Sequence, residues 1–125
     1  DPKSRALVRM WDRRVEFDGY QAVAEGFRNR APAFRDRAVP CRHKVPQIEA
    51  LAERGAQRYR DFLEDLDGRL GQSEYVALDT FSVTDITAFV TIEFARRALH
   101  IEPEPDQEHI ARWHAALSRR PSVEA

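Results

Sequence analysis

Few side chains in this sequence have the type and spacing to do chemistry. Four histidines stand at His43, His100, His109 and His114. A metal site needs ligands that converge, and residues five apart, like His109 and His114, face different sides of a helix. No metal site is expected. Cys41 is the only cysteine, beside Arg42 and Lys44. A basic setting can activate a thiol, but here it is read as an incidental one. There is no Gly-rich phosphate loop, and no Ser-His-Asp set follows from spacing. Asp85 has the chemistry of a general acid. It lies three residues after Ser82, however, and at that spacing it serves a helix start. No catalytic residue is therefore predicted. The segment Arg28, Arg30, Arg35, Arg37, Arg42 and Lys44 could hold an anion. It lacks the run of interleaved aromatics that single-stranded nucleic acid stacks on, so a solvated loop is expected and nucleic acid is not.

The 125 residues suit one domain, residues 1–125, able to bury its own core. With 20 basic and 21 acidic residues the charge is nearly balanced, which argues against a strongly basic nucleic-acid binder. Residues 1–44 carry 11 basic and 6 acidic side chains, so the excess of positive charge lies in the first third. No apolar run reaches the roughly 18 residues of a membrane span, and no membrane partner is expected. A single cysteine allows no intrachain disulfide, which fits a reducing cytoplasm. The start Asp1-Pro2-Lys3-Ser4-Arg5 has no apolar secretory core and no initiator Met.

Four main helices carry these groups, and the expected fold class is an all-α helical bundle. The first spans about Lys3 to Phe27, with a bend expected at Gly19. The second begins near Val45, with Pro46 in its first turn, and ends at Gly68 or Gly71. Its apolar rhythm is Val45, Ile48, Ala52, Tyr59, Phe62, Leu66 and Leu70, with Gly55 a weak step. The third, residues 82–99, is apolar almost all round, which predicts the centre of the bundle. It opens with a capping box. Ser82 accepts from the Asp85 N–H, and Asp85 accepts from the Ser82 N–H. The two side chains should carry similar weight. Phe81 and Ile86 have hydrophobic-staple spacing. A last helix runs from about Asp106, its cap, to Ser118, and Pro121 ends it.

Taken in order, Tyr75-Val76-Ala77, Phe81-Ser82-Val83-Thr84-Asp85-Ile86, Trp113 and Arg120-Pro121-Ser122-Val123 resemble the C-terminal domain of glutathione S-transferases. The opening, Asp1 through Trp11, also resembles that domain's entry into its first helix. One departure is Leu78, where many members have Gly. The resemblance implies that glutathione is a co-substrate of a longer protein. Its thiol would be activated on an N-terminal thioredoxin-like domain, whose βαβ pattern is absent from these residues. It further implies a homodimer and a hydrophobic electrophile. The helical domain would supply the electrophile-pocket wall and part of the dimer interface.

On the first helix the candidate substrate-binding stripe is Arg13, Phe17, Tyr20, Val23 and Phe27. Arg13 is the residue able to grip a glutathione carboxylate or an anionic substrate. Glutathione is not expected to be held by this domain alone, nor is the chain expected to be active alone. The alternative is a non-catalytic protein-interaction module of the same fold.

Overall fold

The computed structural model describes residues 1–124. Helix α1 is Pro2–Arg14, with Pro2 in the first turn, where a missing N–H costs nothing. The chain stays helical through a π-wound segment, Val15–Tyr20, into α2, Gln21–Arg28. Helix α3 is Glu49–Leu70, α4 is Val83–Ala98, α5 is Glu108–Ser118 and α6 is Pro121–Glu124. Among the described residues there is no strand, only one isolated bridge between Arg37 and Val45. The all-α bundle of four main helices is as expected, with α1 to α2 counted as one helical run.

The core forms where α2, α3, α4 and α5 meet. Val15, Val23, Tyr59, Phe62, Leu63, Leu66, Leu70, Ile92, Ile110, Trp113 and Leu117 are buried there. Two of the threonines that interrupt the apolar run of α4, the buried Thr84 and the half-buried Thr87, turn out to be ties to α1. Thr84 Oγ1 donates to the Val8 carbonyl at 3.1 Å, and Thr87 Oγ1 to Asp12 Oδ1 at 2.7 Å. They fasten α4 along α1.

Three helix boundaries differ from the expected ones, and at two of them, the starts of α3 and α5, another segment supplies the hydrogen bonds. Helix α3 starts at Glu49, not near Val45. Val45 instead bonds outward, its N–H to the Asp36 carbonyl at 2.9 Å and its own carbonyl to the Ala38 N–H at 3.1 Å. The Ile48 N–H that opens α3 is taken by Asn29 Oδ1 at 3.1 Å. Asp106 does not cap α5. Gln107 precedes its first residue, and the Ile110 N–H donates to Asp67 Oδ1 of α3 at 3.0 Å. Pro121 opens the short α6 as its first residue instead of closing the chain's helices. The bend expected at Gly19 is the π-segment. Gly19 is required there because a Cβ would sit 2.8 Å from Phe62 Cε1.

Helix α4 is central on only one side. Thr84, Asp85, Ala88, Thr91, Ile92 and Ala95 are buried, while Val83, Ile86 and Val90 are about half exposed. Its apolar circumference therefore has an uncovered face. Leu78 needs no left-handed backbone, since Asp36 and His100 are the only described non-glycine residues with positive φ.

Gly55 is where α2 and α3 cross. A Cβ there would lie 2.5 Å from the Gly26 nitrogen and 2.6 Å from the Ala22 carbonyl oxygen. Backbone cannot give way as a flexible side chain can. Gly55→Ala should therefore destabilise the chain, because overpacking costs of about 1–3 kcal/mol exceed the gain of at most about 1 kcal/mol in helix propensity. A Cβ on Gly68, in the same helix, would meet nothing within 4 Å. Gly68→Ala should stabilise by about 0.4–1 kcal/mol. Urea unfolding of both variants checks the pair, and matching signs would refute the close crossing.

Candidate functional site

Two places concentrate polar or exposed aromatic groups, and they do different work. The first is Asp85, wholly buried at the start of α4. Its Oδ2 accepts the Ser82 N–H at 2.9 Å. Its Oδ1 accepts the Val76 N–H at 3.0 Å and the Trp113 Nε1–H at 2.9 Å. Three donors from the loop, the helix start and α5 thus meet one carboxylate. A buried carboxylate is tolerable only with such partners. Ser82 and Asp85 face each other in the arrangement of a capping box. The two arms are unequal in strength, however. The Asp85 N–H bonds the Ser82 carbonyl at 3.1 Å, and Ser82 Oγ is buried with no partner in hydrogen-bond geometry. Phe81 packs edge-on to Tyr75 at 6.1 Å, and the Arg120 guanidinium covers its ring at 3.7 Å. Asp85 is wholly buried with both oxygens engaged by N–H donors, an arrangement that serves the structure.

The second place is the aromatic surface of α2, the π-segment and α4. Phe17 and Tyr20 are 48% and 45% exposed. Tyr20 lies 5.7 Å from Phe94 between ring centroids, Phe94 lies 5.7 Å from Phe27, and Phe27 lies 5.2 Å from Phe34. The four rings make one continuous apolar strip. Beside it run the half-exposed Val83, Ile86 and Val90 of α4. Offset and edge-on ring pairs of this kind are favourable packing and also a ready surface for a flat apolar ligand.

The expected stripe is not intact. Val23 is 0% exposed and belongs to the core, so it cannot line an open wall. Tyr20, Val23 and Phe27 all follow the extra residue of the π-segment and turn together, so ordinary α-helical spacing sets Val23 apart: at about 100° per residue it stands roughly 60° from Tyr20, on the side of α2 that enters the bundle. Arg13 stays outside. It pairs with Glu16 at 2.8 Å, and its guanidinium lies 5.8 Å from the centre of the Phe17 ring. Tyr20 and Phe27 remain together on the strip, and Phe17 is half exposed on the turn that carries Tyr20.

A cavity of about 760 Å³ adjoins this strip only through Phe27. It lies between the ends of α2 and α4 and the first half of α3, and its wall mixes Arg30, Arg60 and Arg97 with Glu53 and Leu99. Both bordering helices end there, and helix C-termini repel anions. Its charges are better read as balancing those ends than as an anion site.

The other reactive groups stay apart. His43, His100, His109 and His114 occupy four separate positions, and among the described residues no group of three potential ligands could hold a metal. His114 Nε2 pairs with Glu93 Oε1 at 3.0 Å and its ring stacks on Phe89 at 4.7 Å. Ser118 Oγ, 3.5 Å from His114 Nδ1, donates instead to the His114 carbonyl at 2.8 Å, so it is no nucleophile. Cys41 is exposed and its thiol donates to the His43 carbonyl at 3.1 Å. Half of the basic segment is spent on the fold. Arg28 donates to the Arg37 and Ala38 carbonyls at 2.7 and 2.9 Å and stacks on Phe34, Arg30 pairs with Glu49, and Arg37 holds the Ala33 carbonyl. Tyr59 is buried with an unpartnered hydroxyl. Burial, with the charge of Glu93 adding to it, pushes its phenol above the ordinary range.

Residues 49–116 match the family model described as glutathione S-transferase, C-terminal domain. The chain is 24% identical over 122 residues to glutathione S-transferase F13 of Arabidopsis thaliana, covering 98% of this chain and 52% of that protein. Among solved structures, a class Gtt2 glutathione S-transferase of Vibrio parahaemolyticus superposes with a TM-score of 0.78 at 37% identity, over 98% of this chain and 52% of that one. A glutathione S-transferase domain-containing protein of Marinobacter aquaeolei gives 0.85 at 26% identity, over 98% and 57%. The chain spans about half the length of the relatives it matches.

Two stability outcomes follow from the buried polar groups. Asp85→Ala strands three N–H donors, each costing about 1–3 kcal/mol, so a loss of at least about 3 kcal/mol is expected. Ser82→Ala removes a hydroxyl that has no partner and should cost about 0.5 kcal/mol or less, the low end of cap losses. Equal losses in chemical denaturation would refute the asymmetry. Tyr59→Phe should be neutral or slightly stabilising, because it removes an unpaired buried hydroxyl. Thermal unfolding reads this directly, and a drop above about 1 kcal/mol would show that the hydroxyl has a partner.

Proposed function

This chain belongs to the glutathione S-transferase C-terminal domain family, and from that premise we propose that it is the helical half of a glutathione transferase. Residues 1–125 form one domain, and glutathione is the co-substrate of the longer protein. The domain supplies the wall of the pocket for a hydrophobic electrophile, through Phe17, Tyr20 and Phe27 and the neighbouring face of α4. It also contributes to a homodimer interface. The observation that carries the reading is the uncovered apolar surface. A chain this well packed leaves Phe17, Tyr20, Val83, Ile86 and Val90 about half in water. Contiguous exposed apolar groups mark a place where something docks. The relatives have about as much chain again as this one covers, enough for a thioredoxin-like domain to lie against that surface.

The chemistry divides between the halves. Conjugation transfers the glutathione sulfur to an electrophilic carbon and expels a leaving group. It needs a donor within about 3 Å of the sulfur to favour the thiolate. In this reading the donor lies on the thioredoxin-like half: Tyr59 is buried, Tyr20 packs beside Phe94, and the Cys41 thiol donates to the His43 carbonyl. The domain's part is to bind and orient an apolar electrophile and keep water from it. Arg13 is spent on Glu16 and over Phe17, so a carboxylate grip by Arg13 is not part of the reading.

The test uses two proteins, this chain and the same chain joined to its thioredoxin-like half. The chain alone should not conjugate glutathione to a chlorodinitrobenzene above a heat-killed control. The joined protein should. In it, Phe27→Ala or Tyr20→Ala should change electrophile preference by roughly tenfold, in line with 1–3 kcal/mol per lost apolar group, and leave glutathione affinity near wild type. Turnover by the chain alone would overturn the division between halves. A joined protein that is folded, inactive and retained on partner proteins would favour the interaction-module alternative.

A further inference from the structure

The first helical run changes its winding where its two exposed aromatics sit. Over Val15–Tyr20 it is π-wound, and the Gln21 N–H reaches back five residues to the Glu16 carbonyl. Such turns make up well under 1% of residues in folded proteins and recur at functional sites. A strained turn persists only where its surroundings hold it. Here the surroundings are the side chains of α3. Arg58 donates one guanidinium nitrogen to the Phe17 carbonyl at 3.1 Å and another to Glu25 Oε2 at 2.8 Å. Arg54 pairs with the other oxygen of Glu25. Phe62 lies against Gly19, where no Cβ would fit. Arg58 thus bonds the π-turn and the helix after it at once.

We infer that this π-turn sets the specificity of the electrophile wall, with Arg58 as the positioning residue that holds it from the side away from the ligand. The inference rests on the transferase reading and deepens it. Phe17 and Tyr20 leave the turn itself, so its winding fixes where the two side chains emerge and how the Tyr20 ring meets Phe94. With ordinary winding, everything after the turn would rotate by about 100° against α1. Tyr20 would leave Phe94, and the continuous strip would break. Arg58 touches no ligand. It acts through the Phe17 carbonyl, and its fork suits the task because two nitrogens on one rigid plane reach acceptors on two elements. A lysine can satisfy only one of them well. The surface offered is the Tyr20 ring tilted against Phe94 at 5.7 Å, with the half-exposed Phe17 ring on the same turn, which favours a flat aryl electrophile over a small alkyl one.

The test has two arms. In this chain, amide exchange is followed in wild type, Arg58→Ala, Arg58→Lys and a deletion of Asp18, which removes the extra residue. Arg58→Ala should speed exchange of the Gln21 amide by roughly tenfold or more, since bonds to charged groups are the stronger ones. Exchange in α5 should not move, and Arg58→Lys should fall between the two. The Asp18 deletion should give ordinary α-helical protection through residues 14–21. In the protein joined to its thioredoxin-like half, the ratio of kcat/KM for an aryl over an alkyl halide is measured. Arg58→Ala and the deletion should each shift it by roughly tenfold, with the KM for glutathione unchanged. Unaltered exchange in Arg58→Ala overturns the positioning role. An active wild type whose ratio is the same in both variants overturns the specificity role and leaves the transferase reading standing. No conjugation by the joined wild type overturns that reading, and the specificity role with it. Should Arg58→Ala fail to fold, Arg58→Lys and the deletion still decide.

Discussion

One buried carboxylate holds three parts of this bundle in register. Asp85 gathers the N–H of Val76 from the loop before α4, that of Ser82 at the helix start and the indole N–H of Trp113 on α5. A carboxylate so buried would be intolerable without these partners, and the partners would be orphaned without it. The dependence runs outward from there. Arg69 of α3 clamps the same loop by its Val76 and Ala77 carbonyls at 2.8 and 2.9 Å. Arg112 of α5 reaches back to the Leu70 and Glu74 carbonyls. The loop between α3 and α4 is thus held from three helices, and Trp113 can enter the core only because its one polar atom is matched.

The spacing Ser82 to Asp85 made the start of α4 legible, since a cap is a local device and leaves a local trace. The further reach of Asp85 to Val76 and Trp113 leaves none, because it depends on how separated segments meet. The same distinction explains the misplaced helix starts. Asn29 opens α3 and Asp67 serves α5 from 19 and 43 residues away. Local readings put Pro46 and Asp106 in those roles, which their residue types suit but their surroundings do not use. The Gly55 crossing was hidden for the same reason. In sequence it is a gap in an apolar rhythm, and only the approach of Gly26 and Ala22 shows why the gap is there.

The candidate site was legible in its residue types and misread in its geometry. Tyr20 and Phe27 lie on one aromatic strip, while Val23 faces the core. Three- and four-residue steps list residues near one face without saying which flank of it meets the bundle, and that depends on the packing of α2 against α3. Gly19 was a signal at the π-segment, but the contacts of Phe62 and Arg58 with that segment come from about 40 positions on, and no local pattern encodes them.

What the bundle leaves uncovered is as informative as what it buries. Helix α4 spends one face on α1, the π-segment, α2 and α5, and Thr84, Thr87 and Asp85 are satisfied there. Its other face, Val83, Ile86 and Val90, stands half in water with no comparable duty. Had that face evolved for water, polar residues would cost the fold nothing, since none of the three belongs to the buried core. Exposed apolar groups gathered on one helix face make a surface suited to docking. It lies apart from the face of α4 that holds the register of the bundle through Asp85.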